Sequence, residues 1–427
     1  MIMKTKKIHF MGVGGAGCSA AFAIAAKTGY EVSGCDKEAY SSYLDKSLKK
    51  FVSVGHDPSH IKDVDLVAYS PAIVDLDPQN PELLMAGKKA IEVLPWDKFV
   101  GRELLKDKFV IAVAGTHGKG TVAAMISAIL EQNGFDPTCL LGVVVERWGT
   151  NYRVGKSKYF VIEADEYSEK FLNFPSDIGV VTNIDFDHPD YFKDLADLKA
   201  SFAKFIGTFK DNSILIIDSS LSLNNPKGKT VKSQPVSYDL KMIGRFNKMN
   251  AGLALEVGKQ LGISEERIKA VLENFTGLKR RFEFKGEQNN ILVFDDYAHH
   301  PTAVTATLVA AREKFPDSRL WVVFQPHLYS RTKLLFKEFV DAFEKVPVDK
   351  IILVDIYGAR EKDTGAISSS DLTHSIKNKD VKYLPTLEEA AAFLAKEAFV
   401  GDVIITLGAG DIYKLPDLIL KKITNKI

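Results

Sequence analysis

Short apolar runs alternate along the chain with amphipathic stretches of helical period. KIHFMGV (7–13), EVSGC (31–35) and DLVAYS (65–70) read as strands with helical segments between them. A charged helical stretch at Arg102–Asp107 gives way to FVIAVAG (109–115), which starts a second unit. That unit continues through YFVIEADE (159–166), IGVVTNI (178–184), a helix near 194–209 and ILII (214–217). Residues 219–243, rich in Ser, Asn, Lys and Pro, show weak periodicity and read as a loop or degenerate insertion. Helices follow at about 247–260 and 264–274, and the polar, turn-rich stretch 277–290 reads as a linker. A third alternation uses ILVFDD (291–296), WVVF (321–324), KIILVD (350–355) and DVIITLG (402–408). The pattern predicts an α/β protein with parallel sheets.

Length and composition narrow this picture. At ~100–200 residues per domain, 427 residues predict about three domains, set near 1–105, 106–285 and 286–427. The chain is 46% hydrophobic and 26% charged, as globular proteins are. With 56 basic and 55 acidic residues the net charge is +1, so no bulk field favours nucleic acid or an anionic membrane. Any bound anion must be held by local groups. Cys18, Cys35 and Cys139 form no C-x-x-C pair, which argues against a disulfide framework or a thiolate zinc site and fits a reducing cytoplasm. Lys4, Lys6 and Lys7 before a Gly/Ala-rich stretch superficially suggest a leader, but Gly12, Gly14, Gly15 and Gly17 interrupt its apolar core. No run of about 18 apolar residues predicts a membrane span.

Two glycine-rich turns carry the first chemical signal. In Gly12-Val13-Gly14-Gly15-Ala16-Gly17 the spacing is G-x-G-x-x-G, between a strand and a helix, and Asp36 ends the next strand. Glycines admit a pyrophosphate to the backbone, the helix N-terminus supplies N–H donors, and the acid can hold a sugar hydroxyl. A dinucleotide or a nucleotide-sugar fits; the fingerprint alone favours NAD. Gly115-Thr116-His117-Gly118-Lys119-Gly120-Thr121 repeats the strand–turn–helix arrangement with a lysine inside it. Its amides and Lys119 suit the phosphates of ATP, and a threonine hydroxyl suits Mg²⁺. Val113 stands where a strict phosphate-loop pattern has its first glycine. Two acidic clusters, 163–166 (EADE) and 183–188 (NIDFDH), follow strand ends, where α/β proteins place ligands. His117, His188, His299, His300 and His327 all fall at strand–loop junctions of these motifs, although His299 or His300 could equally be a helix cap.

Together with NPEL (80–83), GLKRRFE (277–283), DDYAHHPT (295–302), FQPHLYSRT (324–332), DIYGARE (355–361) and GAGDI (408–412), these motifs resemble the Mur ligases over nearly the whole chain. That family comprises ATP-dependent amino-acid ligases of peptidoglycan synthesis. The resemblance implies an N-terminal Rossmann-like UDP-sugar domain, a central phosphate-loop ATPase domain and a C-terminal Rossmann-like domain that brings the amino acid. It places UDP-sugar at Gly12, Gly14, Gly15, Gly17 and Asp36. ATP is assigned to Gly115, Thr116, His117, Gly118, Lys119, Gly120, Thr121, Asn247, Asn250, Arg281 and Asp296. Mg²⁺ is assigned to Thr121, Glu163, Glu166 and His188, with Asn183 in support, and catalysis to Lys119, His188, His327 and Arg331. Within the family the C-terminal FQPHLYSRT is most similar to members that join L-alanine to the lactyl carboxylate of UDP-N-acetylmuramate. The implied substrates are those two molecules and ATP, with no nucleic acid, membrane or obligate protein partner.

EADEY (163–167) and NIDFDH (183–188) are also similar to the murein-tripeptide ligases of cell-wall recycling. Phe246 stands where the family has a histidine, and the segment before Gly244 is short, which leaves a catalytically weakened nucleotide-binding relative as another reading. An NAD-dependent dehydrogenase fits only the first ~100 residues and leaves Lys119 and the acidic clusters unexplained.

Overall fold

A computed structural model describes residues 5–38, 41, 43–359 and 361–424. Three sheets organise three α/β domains. The first contains β1 (Lys7–Met11), β2 (Glu31–Asp36), β3 (Val52–Val54), β4 (Leu66–Tyr69) and β5 (Glu92–Pro95). Their order is β3-β2-β1-β4-β5 and every pair is parallel. The reversal between β1 and β4 opens a crevice at their carboxyl ends, where doubly wound sheets bind ligands.

The second sheet contains β6 (Phe109–Ala114), β7 (Thr138–Val145), β8 (Thr150–Arg153), β9 (Tyr159–Glu163), β10 (Ile178–Val181), β11 (Ser213–Asp218) and β12 (Gly228–Ser233), in the order β12-β11-β10-β6-β9-β7-β8. Only β8 runs antiparallel to its neighbour. The helix Lys119–Gln132 is buried along most of its length, as its Val, Ala, Met, Ile and Leu content requires. The third sheet contains β13 (Glu283–Gln288), β14 (Ile291–Asp296), β15 (Leu320–Phe324), β16 (Lys350–Leu353), β17 (Asp380–Tyr383) and β18 (Val403–Leu407), in the order β13-β14-β18-β15-β16-β17. Its two faces carry separate apolar cores, one around Phe324, Phe339 and Phe343, the other around Trp321, Leu394 and Ile419. Chain contacts group Met1–Asp185, Ala196–Tyr238 and Met249–Phe275 into one compact unit. Phe186–Leu195, Asp239–Lys248 and Thr276–Ile427 form a second.

Two segments depart from the sequence expectation. Residues 219–243 contain β12, paired in parallel with β11, where a loop or degenerate insertion is expected. The expected linker 277–290 contains β13, paired antiparallel with β14, so the 285/286 boundary falls inside a strand. Both are edge strands with largely exposed or half-buried side chains. Solvent on the outer side removes the apolar signature that marks interior strands.

Candidate active site

In the first domain the glycine turn ends β1 and opens the helix Ala16–Lys27, with Gly15 as its N-cap. Gly17 is required by close approach: a Cβ there would overlap the Trp96 indole. Asp36, at the end of β2, accepts from the Gly14 N–H at 2.7 Å. Gly12, Gly15 and Asp36 then line a pocket of about 220 Å³ with Lys37, His56, Ser70 and Asn80. Of the residues expected to hold UDP-sugar, Gly12, Gly15 and Asp36 thus face the pocket, Gly14 is tied to Asp36, and Gly17 packs on Trp96 instead.

The second turn is clamped from the side by residues 182–185. Thr116 Oγ1 donates to Asp185 O (2.8 Å), and Asn183 accepts from His117 N and donates to His117 O, both at 2.8 Å. His117 Nε2 lies 3.4 Å from Asp185. Gly118 has φ +83°, which an L side chain rarely adopts, and starts the helix Lys119–Gln132. Asn250 approaches this glycine so closely that a Cβ would meet its Oδ1 at 2.7 Å. Lys119 Nζ donates to Glu166 at 2.6 Å. Burial opposes the lysine's charge, yet the carboxylates of Glu166 and Asp165 outweigh it and raise its pKa. Burial pushes Glu166 above the usual carboxylate range in spite of that pairing. Glu163 ends β9 and accepts from Gly142 N (2.6 Å); a Cβ at Gly120 or Gly142 would come within 3.1 Å of its carboxylate. Thr121 is buried in the first turn of the helix.

In the second compact unit Asp187 and Arg331 form a buried pair, with Arg331 Nε and Nη2 at 3.0 and 2.9 Å from Oδ1. Burial would raise the Asp187 pKa, but His188, Arg331, His299 and His300 hold it far below the usual range. Arg331 Nη1 also lies 3.2 Å from His327 Nδ1. A guanidinium only donates, so His327 Nδ1 accepts and its neutral ring carries the proton on Nε2. His327 stacks on Tyr357 with an interplanar angle of 18°. Burial and Arg331 hold the His299 pKa well below the ordinary histidine value. His300 is the helix cap: Nδ1 accepts from Thr302 N, and Nε2 lies 3.2 Å from Phe186 O. His188 has φ +57°, and its N–H donates to Asp187.

The remaining expected residues are mostly occupied by the chain itself. Asp296 accepts from Phe282 N and Ala298 N at 2.7 and 2.8 Å, and burial raises its pKa. Arg281 lies over the Tyr297 ring, 5.3 Å from its centroid, and its Nε is buried without a hydrogen-bond partner. Asn247 donates to Ile243 O. Phe246, the residue departing from the family pattern, is partly exposed against Gly244. Sequence reading missed Asp187 as the anchor of Arg331, 144 residues away. It also missed a cluster of His9, Cys35, His56, His60 and Glu82; the GH-x-x-x-H spacing at 55–60 was the one available signal.

Known proteins resemble the chain along nearly its whole length. Residues 7–107, 113–229 and 280–410 match, respectively, the catalytic, middle and glutamate ligase domains of the Mur ligase family. A UDP-N-acetylmuramate–L-alanine ligase of Acetivibrio thermocellus is 41% identical over 459 residues, covering 98% of this chain and 96% of its own. The enzyme of the same name from Clostridium tetani is 38% identical, covering 97% and 98%. The crystal structure of UDP-N-acetylmuramate-alanine ligase from Thermotoga maritima superposes with TM-score 0.79 at 25% identity, covering 99% of this chain and 100% of that one. On full-length identity and three matched domains, the chain belongs to the Mur ligase family.

Proposed function

We propose that this enzyme uses ATP to join the lactyl carboxylate of UDP-N-acetylmuramate to L-alanine through an acyl phosphate. Identity of 41% to a ligase of that name, nearly end to end in both chains, supports the choice of substrates. The observation that carries the chemistry is the left-handed Gly118 followed by Lys119, which starts a helix beside two strand-end carboxylates. Helix N–H groups and the ammonium suit a nucleotide triphosphate. The crevice beside Asp36 suits the UDP-sugar, and the Arg331–His327 pair suits the amino acid.

The first step transfers the γ-phosphoryl group to the lactyl carboxylate and releases ADP. The alanine amine then attacks the acyl carbon, the amide forms, and phosphate leaves. Lys119 neutralises charge on the phosphoryl group as it moves. Glu166 positions Lys119, and the clamp of residues 182–185 keeps the turn from opening. His327, with its proton on Nε2, serves as a donor to a carboxylate or oxyanion, and Arg331 orients it. Thr121 and Glu163 offer hard oxygen donors beside the turn, a set that fits Mg²⁺. Bound Mg²⁺ supplies positive charge to the ATP phosphates. Among the described residues no helix is long and apolar enough to cross a membrane, and the cytoplasm, where both nucleotides are made, is the proposed compartment.

Phosphate release from purified protein with UDP-N-acetylmuramate, ATP and Mg²⁺ tests the reading, adding L-alanine, L-serine, glycine or murein tripeptide in turn. L-alanine should drive release. Release with tripeptide alone would replace the reading, and none with any acceptor would refute it. Lys119→Ala should abolish turnover while UDP-sugar binding survives; retained turnover would remove Lys119 from the chemistry.

A further inference from the structure

Beneath the crevice of the first domain lies a cluster that the ligase reaction does not use. Glu82, in the first turn of the helix Pro81–Lys88, is fully buried. Its side-chain neighbours are His9 on β1, Cys35 on β2, and His56 and His60 on the segment after β3. His60 Nδ1 is 2.5 Å from Oε1, Cys35 Sγ 3.1 Å from Oε2, His56 Nδ1 3.2 Å from Oε2 and His9 Nε2 3.7 Å from Oε1. Donor atoms of His9, Cys35, His60 and Glu82 all lie within 4.8 Å of one another. Among the described residues no Lys or Arg pairs with this carboxylate.

Hydrogen bonds alone leave this cluster incomplete. His9 Nδ1 is taken by Ser33 Oγ at 2.8 Å, which turns Nε2 inward, yet that buried Nε2 has no hydrogen-bond partner. Orientation of an imidazole through its far nitrogen is the usual support of a metal-bound histidine. Charge points the same way. A divalent cation with one thiolate, one carboxylate and two neutral imidazoles sums to zero. Tetrahedral bonds of about 2.0–2.3 Å set donors about 3.3–3.8 Å apart. The Cys35–Glu82 and His9–Glu82 separations are close to this, and the His60–Glu82 contact has to lengthen by about 1 Å when a metal replaces the proton between them. His60, partly open to solvent, leaves a way in.

The geometry points to a zinc site formed by His9, Cys35, His60 and Glu82, with His56 donating to the bound acid from the wall of the crevice. Its mixed nitrogen, sulfur and oxygen donors select Zn²⁺ over Mg²⁺. The absence of a C-x-x-C pair does not exclude it, because a single thiolate is sufficient when a strand, the segment after β3 and a helix bring the remaining ligands. The site pins the segment carrying His56 and the helix carrying Glu82 to β1 and β2.

Cobalt(II) titration of the full-length, chelator-treated protein without nucleotide tests the site. The expected result is one equivalent with a thiolate-to-cobalt charge-transfer band and visible bands of tetrahedral intensity, displaced by Zn²⁺. Cys35→Ser should lose the charge-transfer band, and His60→Asn should weaken binding by about tenfold or more. Oxygen-donor sites near Glu163 can take cobalt but cannot give that band. Its absence from the wild-type protein, or its persistence in Cys35→Ser, would overturn the proposal. Should Cys35→Ser not fold, the wild-type spectrum and His60→Asn still decide.

Discussion

Glu82 and Asp187 are both buried carboxylates ringed by histidines, and the structure treats them differently. Asp187 has His188, His299 and His300 for neighbours, and two guanidinium nitrogens of Arg331 converge on its Oδ1. Glu82 has His9, His56 and His60, with the Cys35 thiol where the other site has a guanidinium. Arg331 is a permanent cation and compensates Asp187 whatever the histidines do. No such cation serves Glu82, and the soft donors around it call for one from outside. Histidine count says little about a site; the identity of the one non-histidine partner decides its chemistry.

The largest effect should follow from breaking the permanent pair. Arg331→Ala leaves Asp187 buried and unpaired, which costs about 3–5 kcal/mol and is read as a lowered denaturation midpoint together with lost turnover. Asp187→Asn in the same chain should recover much of the stability and none of the activity. Unchanged stability in Arg331→Ala would mean water reaches Asp187.

A partly exposed carboxylate lies between the extremes. Asp45 is tied to Lys27 at 3.0 Å and to the Tyr152 hydroxyl, which joins the first domain to β8. Although burial opposes it, hydrogen bonds from Tyr152, Ser47 and Lys27 hold its pKa well below the usual carboxylate range. The stability it contributes is therefore complete above about pH 4 and lost as pH falls below that value. Asp45→Asn should cost about 1–3 kcal/mol at neutral pH and flatten that part of the acid-denaturation curve. An unaltered acid slope would remove Asp45 from the account.

Ser33→Ala releases the far nitrogen of His9 and should weaken cobalt binding by about tenfold, or about 1.4 kcal/mol, with UDP-sugar turnover little changed in zinc-saturated protein. Equal affinity would show that His9 needs no orientation. The exposed helical pair Lys269–Glu273, 3.7 Å apart, marks the lower end: Lys269→Ala should shift stability by about 0.5 kcal/mol or less. A larger loss there would mean that burial is not what separates the other cases.

Both glycine turns were legible because their signals are local. Strand, turn and helix lie within some twenty residues, and the glycine positions follow from backbone approach and helix start. The acidic ends of β9 and β10 were legible for the same reason. β12 and β13 were hidden because edge strands face solvent and lose their apolar alternation. The choice between His299 and His300 as cap could not be made from adjacent identical residues; the backbone at Thr302 made it. Asp187 offered no hint of Arg331, since a charge pair across 144 residues leaves no mark on either neighbourhood.

The sequence alone determined the α/β class, the approximate number of domains, the two turns and the family. All rest on periodicity or on motifs whose residues act on their own backbone. Tertiary structure decided which polar groups meet. It bound Lys119 to Glu166, set the proton of His327 on Nε2, and gathered His9, Cys35, His60 and Glu82 from four separate segments. Electrostatics acts through space in a medium that burial makes poorly screening, and neither the distances nor the burial are written in the order of residues along the chain.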